Sequence, residues 1–365
     1  MKHTFLILLA LADYHSTTAL QQQRQPAIKK SSPPIQPPLN NDVAFLRWID
    51  EQPNVERSVA VQDDGIAGRG LVATCLLQPG QVAASIPPAL TIRHEDDNEN
   101  DNWAGELAAK LLNHVHRGPS SALAAYIEYG LPETAPTVPC RWDTEQLMQL
   151  QNATLLETIQ QVSEWRHDQT SRHCTTSDDS EYLKYLDLVC SRTLKGGGGR
   201  QLVPLIDLAN HATREQGGGQ FRVLKDGTVQ LLVGERTIQP GQAVTLDYGA
   251  RNVDDFLLHY GFVPDRCYSD SVSLLIQRKE DDGDSSSSTE IFSWNDCQGF
   301  RGHPDSSVRS AARTLLESFP TSLEDDVQRL NQGQNHDYPV DRSIVSYRYA
   351  KKSMLASLAG VHQWS

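Results

Sequence analysis

The stretch TLDYGARNVDDFLLHYGF, residues 245–262, places Tyr248 and Tyr260 twelve positions apart, each followed by a glycine. Tyr248 closes a β-type run just before Gly249, so its phenol can project into a cleft. Tyr260 closes the short helix that follows and can return to the same cleft. Packing ordinarily accounts for such tyrosines, although a buried hydroxyl still needs a partner. Two phenols near a small cationic centre would also orient an amine and favour positive charge over a ring face. That suits alkyl transfer from a sulfonium to a neutral amine, which depends on in-line placement more than on a strong base.

A second set of polar groups ends the apolar segment LIDLANH: Asp207, Asn210 and His211. Together they offer the directional donors and acceptors that suit a polar cofactor, though an internal histidine is often simply hydrogen-bonded. No HxxxH spacing supplies a second imidazole for a metal. The six cysteines, at 75, 140, 174, 190, 267 and 297, form no CxxC or CxC pair, which argues against a zinc cluster. No GxSxG elbow marks a hydrolase nucleophile. The GIAGRG run (65–70) has the glycines of a dinucleotide-binding loop, but such a loop must feed a helix whose amide end meets the phosphates. Here LVATCLL follows and reads as strand. What remains is either a plain surface turn or a glycine bend whose backbone approaches a small ligand closely.

These residues need a frame of both strands and helices. Asn41 or Asp42 can cap a helix over VAFLRWIDEQ, and short strands broken by Asp-Gly, Gly68, Gly70 and Pro79-Gly80 follow. The acidic stretch 92–102 reads as loop. Helical patterning covers 103–116, 143–165 and 181–193. Gly196–Gly199 reads as a flexible break. A hairpin turning at Asp226-Gly227, a turn at Pro240-Gly241 and a last strand lead into Tyr248. Asn252 caps the next helix in a capping-box arrangement with Asp255, burying Phe256, Leu257 and Tyr260. An acidic, serine-rich loop at 280–289 precedes three modest helices between 305 and 359. The order is strands, inserted helices, more strands and a helical tail, which is α+β and not alternating βα.

Composition limits the partners. The 365 residues carry a formal charge of −13, against the basic surface that non-specific nucleic-acid binding requires. Lys2 followed by FLILLALA and the small residues to Ala19 reads as a signal or targeting peptide (1–19), too short to span a bilayer. Residues 20–40, rich in Gln, Pro and Ser, read as a disordered leader. No later stretch reads as a membrane span. Asn152-Ala153-Thr154 is a glycosylation acceptor triplet of a kind that also occurs by chance. Any disulfide pairing is unreadable from the cysteine spacing.

The ordered set GRGLVA (68–73), SRT (191–193), PLIDLANH (204–211), LDYGARN (246–252) and YGFV (260–263) resembles the SET-domain protein methyltransferases. More narrowly, it is similar to the branch typified by the plant Rubisco large-subunit lysine methyltransferase. The resemblance implies a SET-domain β-fold with a pseudo-knot over residues 42–268, split by a helical insertion at about 95–190. A short, mainly helical, substrate-binding-like region would occupy 269–365. It implies a protein-lysine N-methyltransferase that uses S-adenosyl-L-methionine, releases S-adenosyl-L-homocysteine and needs no metal. The cofactor would lie against backbone at Ala67, Gly68 and Arg69, with Arg192 near its carboxylate and Asn210 and His211 at the adenosine. Asp207, Tyr248 and Tyr260 would border the side-chain channel, with Tyr248 catalytic.

The sequence departs from the family pattern in two places. Ala67 stands where the plant enzyme carries an acid. Leu194 stands where the related actin-histidine methyltransferase has asparagine, which favours lysine as the target. A protein-histidine N-methyltransferase and a catalytically silent SET-type peptide-binding protein are the alternatives on the same scaffold. The expected partner is a protein presenting a lysine, with the chain a monomer and no direct nucleic-acid contact. The leader points to a secretory route or a plastid reached through it, whereas the family commonly works in cytoplasm, nucleus or plastid.

Overall fold

The computed structural model describes residues 40–63, 68–95, 102–174, 179–279, 285–297, 302–303, 305–332 and 339–361; the targeting segment, residues 20–39 of the leader and Ala67 lie outside them. Helix α1 (Asn40–Asp50) buries Phe45 and Ile49, one helical turn apart. It begins at Asn40, so Asp42 lies inside the first turn. Instead of capping the helix, the buried Asp42 carboxylate pairs with Arg69 at 2.7 Å. Four short strands follow: β1 (Glu56–Arg57), β2 (Val59–Asp63), β3 (Arg69–Ala73) and β4 (Val82–Ile86).

Part of the expected 92–102 loop is strand β5 (Ile92–Glu95), in which Ile92 and His94 alternate inward. Its partner lies beyond the whole helical insertion, with Ile92 opposite Leu202. The insertion comprises α2 (Trp103–His116), α3 (Thr144–Met148), α4 (Ala153–His173) and α5 (Ser180–Arg192). The helix expected over 143–165 is therefore two helices. Asp143 starts α3 with a capping box, Gln151 breaks the run at φ 57°, and Asn152 caps α4 by accepting from Leu155 N.

Strands β6 (Leu194–Gly196) and β7 (Gly199–Leu202) correct the reading of Gly196–Gly199 as a flexible break. Gly197 and Gly198 have φ of +64° and +77°, the pair of positive values that a tight hairpin turn requires to match strand twist. Hairpin β8 (Gln220–Val223) and β9 (Val229–Leu232) turns at Asp226-Gly227, where the Asp226 carboxylate accepts from Thr228 N. Strand β10 (Ala243–Val244) and helix α6 (Val253–Tyr260) complete the frame. Three small antiparallel sheets result, ordered β1-β4-β9-β8, β10-β3-β2 and β5-β7-β6.

Beyond residue 268 the described chain is not wholly helical. Strands β11 (Ser271–Lys279) and β12 (Ser285–Ser293) pair from Ser271 opposite Ser293 to Lys279 opposite Ser285. The serine-rich stretch expected to be loop is thus strand from Ser285 onward. It is held because Val272, Leu274 and Ile276 of β11 bury one face. Helices α7 (Trp294–Cys297), α8 (Ser306–Glu317), α9 (Leu323–Gln332) and α10 (Pro339–Ala359) follow. At 21 residues, α10 is no modest helix, and it packs on α6, α8 and α9.

Two apolar cores meet at the site. The first joins the three sheets to α2 and α5. The second joins Val253, Phe256 and Leu257 of α6 to Leu155 and Ile159 of α4 and to Ile344 and Tyr347 of α10. Each such buried apolar side chain contributes roughly 1.5–3 kcal/mol, so α6 is fixed from both sides. Tyr248 packs against both cores.

Candidate active site

The polar corner is built by a strained turn. Leu205, fully buried, has φ +72° and ψ −52°, a backbone region that non-glycine residues rarely occupy. The turn sends Asp207 into the interior and releases Ala209, Asn210 and His211 as an extended segment. Leu246 then lies between two neighbours. Its N–H donates to Asn210 O at 2.9 Å and its carbonyl accepts from Ala212 N at 3.2 Å. On the other side Gly219 N donates to Thr245 O, and Asp247 N to Gly219 O, both at 2.9 Å. This interleaving carries the chain directly into Tyr248.

Three sequence-distant segments converge here. An added Cβ on Gly70 would stand 2.5 Å from Asn210 Nδ2, so only glycine lets β3 lie this close to the corner. His211 Nδ1 accepts from Tyr248 N at 3.4 Å. Burial lowers the His211 pKa from its ordinary value, outweighing the opposing pull of Asp247. The ring is therefore neutral at pH 7, with Nε2 carrying the proton. The Tyr248 hydroxyl donates to Ala209 O at 2.9 Å. Burial, followed by the neighbouring Tyr260, pushes its pKa well up, so it remains a phenol.

Helix α6 brings the second phenol. Asn252 accepts from Asp255 N at 2.7 Å, and Gly261 ends the helix at φ +75°. Only the first half of the expected capping box is formed among the described contacts. The Tyr248 and Tyr260 ring centroids are 5.0 Å apart, and His211 lies 5.0 Å from Tyr248 and 4.7 Å from Phe256. Phe262 closes the cluster 6.1 Å from Tyr260. Such rings form a wall that is apolar in bulk and electron-rich at its faces.

The remaining sequence candidates behave differently from one another. Gly68 has φ +74° and no atom within 4 Å of a hypothetical Cβ, so it presents an open backbone. The Arg69 guanidinium is committed to Asp42, Tyr129 O and Gly130 O, which leaves only its main chain for a ligand. Arg192, at the end of α5, donates through Nη1 to Asp207 O at 2.8 Å, while its buried Nε has no partner among the described groups. Asp207 Oδ2 accepts from Tyr126 OH at 2.5 Å, and Oδ1 has no partner among those groups. Burial raises the Asp207 pKa to about 6 despite the nearby Arg192. Tyr126, the Ala209 carbonyl and Arg251 are parts of the site that sequence reasoning missed. Tyr126 carries no spacing signal, and Arg251 could have been noticed only from its place between the two tyrosines. Among the described residues no cluster of three or more His, Cys, Asp or Glu side chains could hold a metal ion.

No protein-family model matches the sequence, and no curated protein sequence matches it. Solved structures do. The SET domain of LSMT bound to lysine and AdoHcy superposes with a TM-score of 0.63 at 16% identity, covering 88% of this chain and 90% of that one. The same domain with methyllysine and AdoHcy gives 0.62 at 18%, covering 90% and 91%. Rubisco LSMT bound to AdoMet gives 0.60 at 18%, covering 88% and 91%. At these identities the likeness is one of architecture: this chain has the SET-domain α+β fold with a helical insertion.

Proposed function

We propose that the chain is an S-adenosylmethionine-dependent protein-lysine N-methyltransferase. One observation carries the reading: Gly70, the Asn210-His211 corner and Tyr248 come from distant parts of the sequence and are in direct contact. That contact occurs in a fold shared with solved chains holding AdoMet, lysine and methyllysine.

The residues fit the methyl donor. Open backbone at Gly68, with the main chain of Arg69 beside it, can run along a flat, polar ligand; Ala67, which the sequence also assigns to the donor, lies outside the described residues. Arg192 Nε is a buried donor without a partner among the described residues and suits a carboxylate. Asn210 and the Nε2–H of His211 suit the adenosine end. When bound, S-adenosylmethionine supplies an electrophilic methyl group and leaves as S-adenosylhomocysteine.

The chain's own groups then position the acceptor. Because the Tyr248 hydroxyl spends its proton on Ala209 O, its oxygen is left as an acceptor for an amine N–H. Its raised pKa rules out a phenolate base at neutral pH, so Tyr248 orients the amine and does not deprotonate it. Tyr260 narrows the opposite wall, and Asp207, behind Tyr248, borders the channel. We assign residues 42–268 to the SET domain, with the insertion at about 95–190, and 269–365 to recognition of a lysine-bearing protein. The leader is assigned to a secretory-type route.

Tritiated methyl transfer from S-adenosylmethionine to host extract, followed by amino-acid analysis of the product, tests this reading. Methyllysine is expected. Methylhistidine would move the assignment to the histidine enzyme. Cofactor binding without any transfer would leave a silent binding protein.

A further inference from the structure

In the chain between the two tyrosines stands a cation, Arg251. Arg251 Cζ lies 5.5 Å from the Tyr260 ring centroid, and Arg251 Nε donates to Tyr248 O at 3.2 Å. The guanidinium is thus tied to one channel residue and stacked on the other. Among the described residues no carboxylate lies within ion-pair distance of it. Its charge is held beside the aromatic wall without being neutralised by a bonded partner. An aromatic face is where an incoming ammonium would otherwise be favoured.

We propose that Arg251 is a specificity-determining residue that excludes protonated lysine and admits the neutral amine; this rests on the methyltransferase reading. Two unit charges about 6 Å apart at an effective dielectric of about 20 repel enough to lower an amine pKa by about two units. Arg251 is partly exposed, and solvent screening reduces this to about one unit. An amine with an ordinary pKa of about 10.4 then has roughly ten times more neutral form at neutral pH.

The surrounding groups leave a clear window in which to see this. From the corner segment His211 faces Arg251, and from α6 His259 and Tyr260 do so, with Asp255 acting on both of them. Tyr248 and Asp247 precede it, Arg192 and Asp207 lie behind Tyr248, Cys190 reaches Tyr260, and Cys267 Sγ donates to Arg251 O. Burial lowers His211 and His259, raises both tyrosines, and holds Asp207 at about 6 and Cys267 at about 12.

The test is the pH dependence of kcat at saturating lysine substrate, which reports the bound amine, from pH 6.5 to 11 in wild type, Arg251→Gln and Arg251→Lys, with cofactor affinity measured in each. Arg251→Gln should move the acid limb up by about one pH unit, losing about tenfold at pH 7.5 and still about fivefold near pH 9.5, with most of the rate recovered only above about pH 10.5. Arg251→Lys should keep the wild-type midpoint, whatever its rate. Should Arg251→Gln not fold, Arg251→Met is measured in its place. A variant profile that is uniformly lower with an unmoved midpoint would overturn the proposal and leave Arg251 a packing residue. A wild type that binds cofactor but methylates no lysine would instead overturn the functional reading, and this inference with it.

Discussion

Asp326 and Asp207 are both buried carboxylates, and their surroundings differ at every lone pair. Asp326 accepts from Arg348 Nε at 2.9 Å and Nη2 at 2.5 Å through one oxygen, and from Lys352 Nζ at 2.7 Å through the other. Lys352 is in turn satisfied by Thr321 O and Oγ1, each at 2.7 Å. Asp207 has one neutral donor, Tyr126, and a second oxygen with no described partner. The first arrangement saturates buried charge to lock α9 onto α10. The second leaves a carboxylate oxygen without a described partner beside Tyr126, at a cost in stability. Scaffold and site are thus distinguishable by whether burial has been matched with partners.

The most severe way to break this contrast is to remove the saturated acid. Asp326→Ala strands Arg348 and Lys352 in the interior and should destabilise the fold by about 3–5 kcal/mol in denaturant unfolding. A loss below 1 kcal/mol would mean that apolar packing alone holds the C-terminal helices. Next is the site itself: Tyr248→Phe should lower methyl transfer by about 10²–10³-fold. Calorimetric affinity for S-adenosylhomocysteine should stay within about twofold, because the ring contacts remain. Undiminished turnover would move the orienting role elsewhere.

Asp207 gives a signed pH test. Its folded pKa, about 6, lies above the ordinary 3.8, so the native state holds the proton more tightly than the unfolded chain. Its ionisation therefore costs stability progressively as pH rises from about 4 to about 6, and by a constant amount above that. Two units correspond to about 3 kcal/mol. Asp207→Asn should gain on wild type across that interval by an amount of this order, read from unfolding at successive pH values. A flat difference between the two proteins would contradict the buried, under-partnered assignment. Smallest is Gly70→Ala: its Cβ would displace the Asn210 side chain and weaken cofactor affinity by about tenfold, or about 1.4 kcal/mol, with little loss of stability.

The sequence displayed the parts of the site that depend on local turn chemistry. Gly68, Gly70, Gly249 and Asn252 each mark a backbone requirement, and the polar residues beside them were legible for that reason. What depended on distant partners was not. Ile92–Glu95 becomes a strand only because β7 arrives after the whole insertion, and the serines of β12 become one because β11 buries its alternate residues. Arg348, Lys351 and Lys352 look like a solvated basic face, yet all three are buried, since their carboxylates come from α6, α9 and the segment before β11. Tyr126 was invisible because nothing in YIEYG announces a carboxylate eighty-one residues away.

Calorimetric titration of S-adenosylmethionine into the purified chain and its Asn210→Ala variant tests the methyl-transfer site most directly. One equivalent should bind to the wild type, and the variant should bind at least about tenfold more weakly, since it loses the side chain that meets Gly70 at the corner. A folded wild-type protein that takes up no cofactor would contradict the assignment of the corner, the glycine bend and Tyr248 to one methyl-transfer site.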